Sequence, residues 1–229
     1  MVGKFGHAFP STKEFSAFAR STVDADPVSD PDGTLLQWYD REEKMFMCME
    51  RHLISEQLEH GFRTSDGVDV DSFIKFSLSV NNRRKSRAGL SFENHFEALF
   101  TAQNLRYSHT PVTENKSKPD FIFPSIKRYR DTNYPADQLT MLGAKTTAKD
   151  RWRQVLEEAD RIERKHLITL EGAISENQTN EMISRKLQLV VPREIHATFT
   201  PAQRSWLYTV EDFLNEVREH QVFDDSFGV

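Results

Sequence analysis

Near its midpoint the chain changes rhythm. Short apolar runs rich in Phe, Ile, Leu and Val stand at residues 120–123, 139–145, 166–170 and 187–191, and helical patterns fill the gaps at 92–103, 150–165 and 175–185. Short strands alternating with helices have to bury a sheet beneath those helices, which predicts an α/β core. A last helix is signalled by Thr200 as N-cap, Pro201 at the first helical position and Gln203 closing a capping box, with Trp206, Val210, Phe213 and Val217 inward. The first ninety residues read as largely helical. A short helix at 11–20 is followed by a polar connection rich in Pro, Asp and Gly at 24–33. Leu35, Tyr39, Phe46, Met49, Leu53, Ile54 and Leu58 then recur at helical spacing up to Gly61, and a further helix is expected over 69–78. With no internal repeat or low-complexity segment, the expectation is a single domain over 1–229, mainly helical over 1–80 and α/β over 81–229.

Composition bounds the functional classes. A chain of 229 residues with 38% hydrophobic residues can bury one substantial core. No apolar run approaches the roughly 20 residues needed to span a bilayer, and the start lacks the charged-then-apolar pattern of a signal peptide, so no membrane partner is expected. The single cysteine, Cys48, excludes an intrachain disulfide and a cysteine metal cage, which fits a reducing cytoplasm. A net charge of -5 argues against nucleic acid as a partner, because such proteins carry basic surface to meet phosphates. The charge is unevenly spread, however. Arg83, Arg84, Lys85 and Arg87 form one basic cluster, read as a solvated connection or a phosphate clamp, and Lys145, Lys149, Arg151 and Arg153 form another.

The sharpest local feature is Lys118-Pro119-Asp120-Phe121-Ile122-Phe123, an acid at the mouth of a very apolar strand. An isolated Pro-Asp most often caps a turn. The next strand ends on Lys145 after a nearly uncharged run, and a lysine there usually snorkels to solvent. Were the two strands paired, Asp120 and Lys145 would meet at one end of the sheet, as an acid that holds a metal and a lysine that orients water and stabilises phosphate charge. Magnesium wants a second carboxylate. On the helix expected over 150–165, at about 100° per residue, Trp152, Val155, Leu156, Ala159 and Ile162 form the buried stripe. Glu158 lies on the rim of that stripe and Glu157 points away, although a surface salt-bridge face reads equally well. Glu93 sits beside the buried stripe of Phe92, Phe96, Leu99 and Phe100, where an acid in a first helical turn usually serves the helix dipole. It is a supporting candidate. No Walker-type loop, His-Glu-x-x-His motif or nucleophile elbow occurs.

Three stretches resemble the EcoRII/PspGI-like catalytic domains of the PD-(D/E)XK nuclease superfamily. They are Asn82-Arg83-Arg84-Lys85-Ser86-Arg87-Ala88-Gly89 leading into Ser91-Phe92-Glu93, then Lys118-Pro119-Asp120-Phe121-Ile122-Phe123-Pro124, and the highly specific Ala144-Lys145-Thr146-Thr147-Ala148-Lys149-Asp150-Arg151-Trp152-Arg153-Gln154. The similarity runs from about Phe9 to the C-terminal helix.

The resemblance implies a restriction-endonuclease-like core, a mixed β-sheet flanked by helices. It implies a type II restriction endonuclease that hydrolyses phosphodiester bonds of double-stranded DNA with Mg2+ at a CC-N-GG site such as CCWGG. Asp120 and Glu158 would be the metal ligands, Lys145 the catalytic lysine and Tyr129 a further residue near the centre. Gly143 stands where the superfamily's common pattern has an acid before x-Lys, a departure this subfamily makes by moving the acid to the following helix. Lys149, Asp150 and Arg151 would face the CC:GG base edges, with Arg83, Arg84, Arg87 and Arg153 contributing. Relatives flip the central base pair, for which Trp38 and Arg41 are candidates. One centre per chain must cut two strands, so a homodimer in a prokaryotic cytoplasm is expected. The chain has no room for the effector-DNA domain of EcoRII, so it resembles an effector-independent relative or an isolated catalytic domain. A DNA-binding module without cleavage, and a structure-specific repair nuclease on the same core, are the alternatives.

Overall fold

The computed structural model describes residues 2–148 and 151–227, which fall into two compact units, Met1–Asp24 with Gln37–His95 and Ala25–Leu36 with Phe96–Val229. In chain order the first elements are α1 (Val2–Phe5), α2 (Thr12–Arg20), α3 (Pro31–His60), the two-residue strands β1 (Arg63–Thr64) and β2 (Gly67–Val68), and α4 (Val70–Ala102). Then come β3 (Ser108–His109), β4 (Phe121–Phe123), α5 (Ile126–Arg130), β5 (Thr140–Ala144), α6 (Trp152–Leu156), β6 (Lys165–Ile168), α7 (Glu176–Ser184), β7 (Leu187–Val190), α8 (Pro201–Arg204) and α9 (Val210–Ser226).

The helical unit holds α1, α2, the hairpin β1–β2 and most of α3 and α4. Ser11 opens α2 with a reciprocal capping box to Glu14. Phe15, Ala19, Met45, Phe46 and Met49 form its core, with Phe5, Phe9, Phe18 and Leu53 packed against them.

The second unit is built on a five-stranded sheet of order β3-β4-β5-β6-β7. It is mixed: β3, β4 and β5 run antiparallel, and β5, β6 and β7 run parallel. Strand alternation divides β4 between two apolar layers. Ile122 joins Met141, Leu167 and Leu189 under Trp152, Val155 and Met182. On the opposite face Phe121 and Phe123 pack on Phe100 of α4, and Phe123 on Phe213 of α9. Burying each such ring contributes roughly 1.5–3 kcal/mol.

The expected α/β core, with a mixed sheet flanked by helices, is thus present, and the structure corrects several boundaries. The connection expected around Arg83 to Arg87 lies inside the 33-residue α4, where no proline interrupts the helix. The helix expected over 150–165 is only five residues long. It stops because Glu157 caps it and Ala159 takes a positive φ of 51°, a turn that lets Ile162 drop into the core and Lys165 start β6. The last helix is two. Tyr208 bridges to Val190, its amide donating to Leu189 O and its carbonyl accepting from Val191 N, so the chain leaves α8 to extend the sheet. Thr209 then restarts α9 with its own capping box to Asp212. The connection expected at 24–33 is shorter because α3 already begins at Pro31, with Asp30 accepting from Gly33 N. No described helix is long and apolar enough to cross a membrane.

Candidate active site

Asp120 immediately precedes β4 and Lys145 immediately follows β5. The antiparallel register Phe121↔Leu142 therefore places the two side chains at the same end of the sheet. Asp120 Oδ2 accepts from Lys145 Nζ at 2.7 Å and from Ala144 N at 2.6 Å, and the Asp120 carbonyl accepts from Thr110 N at 2.8 Å. Asp120 is buried, with 9% of its surface exposed. A backbone bond from Lys145 N to Ile168 O, 3.0 Å, carries the hydrogen-bonding of β5 one residue further toward β6.

Glu158 stands in the turn after α6, its amide donating to Val155 O at 3.3 Å. Glu158 is half-buried whereas Glu157 is exposed, the division that the helical rim suggested even though the helix ends before either residue. Burial raises the Glu158 carboxyl to about 7; Lys145 and Lys165 pull it down and Asp120 pushes it up. Glu158 thus shares one electrostatic neighbourhood with Asp120 and Lys145. Among the described residues its Oε2 is buried without a hydrogen-bond partner.

Two residues that sequence reading did not single out shape this region. Lys165 is buried and donates to Ala159 O at 3.3 Å and Ile162 O at 2.8 Å, holding both carbonyls of the turn that carries Glu158. Glu171 accepts from Ala148 N at 2.7 Å and so fixes the loop after Lys145. Neither had a local signal, because each acts through a contact formed only in the folded sheet.

Tyr129 lies on the buried face of α5. Its hydroxyl donates to Glu114 Oε2 at 2.5 Å and accepts from Arg161 N at 3.3 Å. Burial, then the bond to Glu114, raises the phenol well above its ordinary value. Arg161 gathers carbonyls at the end of that helix: those of Arg128 at 3.3 Å, Tyr129 at 2.5 Å and Asp131 at 2.7 Å, together with that of Tyr134.

The sequence pattern of the family described as EcoRII C terminal matches residues 46–214. The chain belongs to the EcoRII C-terminal family. It is 42% identical over 210 residues to the type II restriction enzyme EcoRII of Escherichia coli, a match covering 91% of this chain and 50% of that protein. The chain spans about half the length of the curated relatives it matches. Among solved structures, metal-depleted Ecl18kI in complex with uncleaved, modified DNA is similar at a TM-score of 0.79 and 20% identity, over 99% of this chain and 83% of that one. The PspGI–substrate DNA complex is similar at a TM-score of 0.70 and 18% identity, over 93% of each chain. These likenesses share the restriction-endonuclease fold.

In this family member the basic residues fall into distinct settings. Arg83, Arg84 and Arg87, with Glu93, lie on the part of α4 that belongs to the helical unit. Arg84 is exposed and pairs at 2.6 Å with the buried Glu50. Arg87 is buried, donates to the Pro10 carbonyl and stacks over Phe9, Phe15 and Phe46. Its guanidinium orders the unit from within. Arg83 stacks over Phe9 at 5.1 Å. Arg151 is exposed and donates to Thr147 Oγ1 at 3.0 Å, while Arg153 pairs with Glu181 at 2.6 Å and covers Trp152. Lys149 and Asp150 lie outside the described residues. Trp38 is buried against His95, and Arg41 donates to Thr22 Oγ1 at 2.9 Å.

The donor set fits a hard divalent cation. Two carboxylates are brought into one neighbourhood, and Glu158, whose ionisation burial resists, keeps a buried oxygen with no partner among the described residues. A cation would relieve both features. Magnesium is ordinarily held by one or two carboxylates plus water and substrate phosphate, which matches this supply.

Proposed function

We propose that this chain is a Mg2+-dependent type II restriction endonuclease that cuts double-stranded DNA at a short CC-N-GG site, CCWGG being the leading candidate. The observation that carries the reading is the 2.7 Å bond between Asp120 and Lys145, coupled electrostatically to Glu158, whose Oε2 has no partner among the described residues. Asp120 and Glu158 would hold the cation, which when bound supplies Lewis acidity at the scissile phosphate and eases departure of the leaving oxygen. Lys145, held in place by Asp120, orients the attacking water and offsets the charge that grows on the phosphate. Tyr129 supports the centre through Glu114 and the Asp160–Arg161 backbone.

On the DNA side we assign Lys149, Asp150 and Arg151 to base edges and Arg83 and Arg153 to supporting contacts. Arg84 and Arg87 support the contacts of Arg83 by anchoring α4 through Glu50 and Pro10. Since one centre must act on two antiparallel strands, the working form is a homodimer in the cytoplasm of a bacterial cell.

The test is digestion of plasmid and of short CC-N-GG duplexes with and without Mg2+, beside Lys145→Ala. Discrete Mg2+-dependent fragments absent with the variant establish the activity and reveal the site together. Binding of such duplexes without cleavage under any divalent metal would replace this reading with a DNA-binding module. Cleavage that ignores sequence but follows DNA structure would point to a repair nuclease.

A further inference from the structure

We propose that His7, His52 and Glu56 form a binding site for a transition-metal dication of the zinc class, built from residues that take no part in the Asp120 centre. Among the described residues these three are the group of His, Cys, Asp and Glu whose ligand atoms, one from each, all lie within 4.8 Å of one another. His52 and Glu56 are one helical turn apart on α3 and share a face. His7 is brought to them by the turn after α1, where Gly6 has φ +66°, a backbone state natural to glycine.

The spacing suits a four-coordinate ion. His7 Nδ1 is 3.0 Å from Glu56 Oε1 and 3.2 Å from Oε2, and His52 Nε2 is 3.4 Å from Oε1. Ligands at about 2.0–2.1 Å around a tetrahedral ion stand roughly 3.3 Å from one another, so the side chains need only small rotations to enclose it. Two imidazole nitrogens with one carboxylate select zinc-class ions over magnesium, which prefers oxygen alone. An open cavity of about 640 Å³, lined by His7, Phe9, Glu56, His60 and Arg83 among others, gives the ion and a fourth, water ligand access. The two histidine side chains are 70% and 42% exposed, so nothing in the packing of the unit has to move for the ion to enter.

Such an ion ties the N-terminal segment to α3. That segment carries Phe5 and Phe9 onto the core of Phe15, Phe46 and Met49, and Phe9 in turn lies under Arg83 and Arg87. Binding therefore stabilises the helical unit by mass action.

The experiment titrates the metal-stripped full chain with Co2+, whose visible absorption intensifies on four-coordination, and then displaces it with Zn2+. Variants are His7→Ala, His52→Ala and, as a control for the other centre, Asp120→Asn. One four-coordinate Co2+ per chain is expected in the wild type and in Asp120→Asn. In each histidine variant its binding should weaken at least about tenfold, since loss of even an outer partner costs that much. Zn2+ should raise the melting temperature of the wild type and leave that of His7→Ala unmoved. Circular dichroism checks that the exposed substitutions keep the fold. Unchanged binding in His7→Ala and His52→Ala, or loss of the complex in Asp120→Asn instead, overturns the assignment.

Discussion

A methyl group on Gly143 would stand 2.9 Å from Cγ2 and 3.2 Å from Cγ1 of Val155. The valine of α6 thus occupies the space that any side chain at this position of β5 would need, and a β-branched side chain has little freedom to give way. Gly143→Ala is expected to lower stability by about 1–3 kcal/mol, the usual cost of overpacking a core. Val155→Ala in the same chain should return part of that loss, read as coupling in a double-mutant cycle by urea unfolding. Additive losses would show that the contact is not what makes glycine necessary. The same contact explains why an acid before x-Lys is absent here, and predicts that Gly143→Asp does not restore cleavage to Glu158→Ala.

Glu158 carries a cost that can be measured without substrate. Its carboxyl is raised from 4.5 to about 7, first by burial. Between those pH values the unfolded chain has lost the proton that the folded chain keeps. Stability in metal-free buffer therefore falls as pH rises through this window, by up to about 3 kcal/mol in all. Glu158→Gln removes the ionisation. It is expected to be more stable than the wild type at pH 8, little different near pH 4.5, and inactive in cleavage. Mg2+ should stabilise the wild type at pH 8 and not the variant. A variant less stable at both pH values would contradict the burial argument.

Much of this was legible in the sequence. The strands of the sheet interior declared themselves by short apolar runs, and Asp120 and Lys145 by the oddity of a charge at the edge of each. The rim position of Glu158 followed from apolar spacing alone, because Val155, Ala159 and Ile162 keep their inward side even where the helix gives way to a turn. What the sequence hid was tertiary. Two-residue strands such as β3 are too short for a period to show. The break between α8 and α9 is imposed by the pairing of Tyr208 with β7, which competes with an otherwise continuous helical pattern. The burial of Arg87 depends on Pro10 and three rings, all of them far from it in the chain.

Arg161 joins α5 to the turn that carries Glu158, so its loss should reach further than its own contacts. Removing the guanidinium leaves the carbonyls of Arg128, Tyr129, Asp131 and Tyr134 without that donor. Arg161→Met is expected to cost about 2–4 kcal/mol, with each unmet buried acceptor adding of order 1 kcal/mol where water cannot replace the donor. Tyr129→Phe leaves Glu114 Oε2 and the Arg161 amide without their hydroxyl partner and should cost about 1–2 kcal/mol. If Tyr129 acts by support, Tyr129→Phe keeps cleavage within about tenfold of the wild type at a temperature where both are folded. A loss comparable to that of Lys145→Ala would instead place its hydroxyl in the chemistry.

The acid limb of stability should be set on the parallel side of the sheet. His166 Nε2 lies 3.0 Å from Glu216 Oε1, and Arg164 donates to Glu216 Oε2 at 2.8 Å. Burial pushes the Glu216 carboxyl up, but the His166 imidazole 3.0 Å away and the charges of His166 and Arg164 outweigh it and hold the group at about 2. Because this value is depressed, the stabilisation is fully present above the ordinary 4.5 and is lost as pH falls toward 2, up to about 3 kcal/mol. It is less where His166 is neutral and Arg164 alone supplies the charge. His166 itself is lowered by burial, so below its ordinary 6.5 the unfolded chain takes up a proton that the folded chain resists, and stability declines with acid in the same direction. Glu216→Gln should therefore destabilise the chain at pH 7 and make its stability fall less steeply between pH 5 and pH 3. The measurement is urea unfolding across that range. A variant whose acid limb parallels the wild type would move the origin of acid unfolding away from this pair.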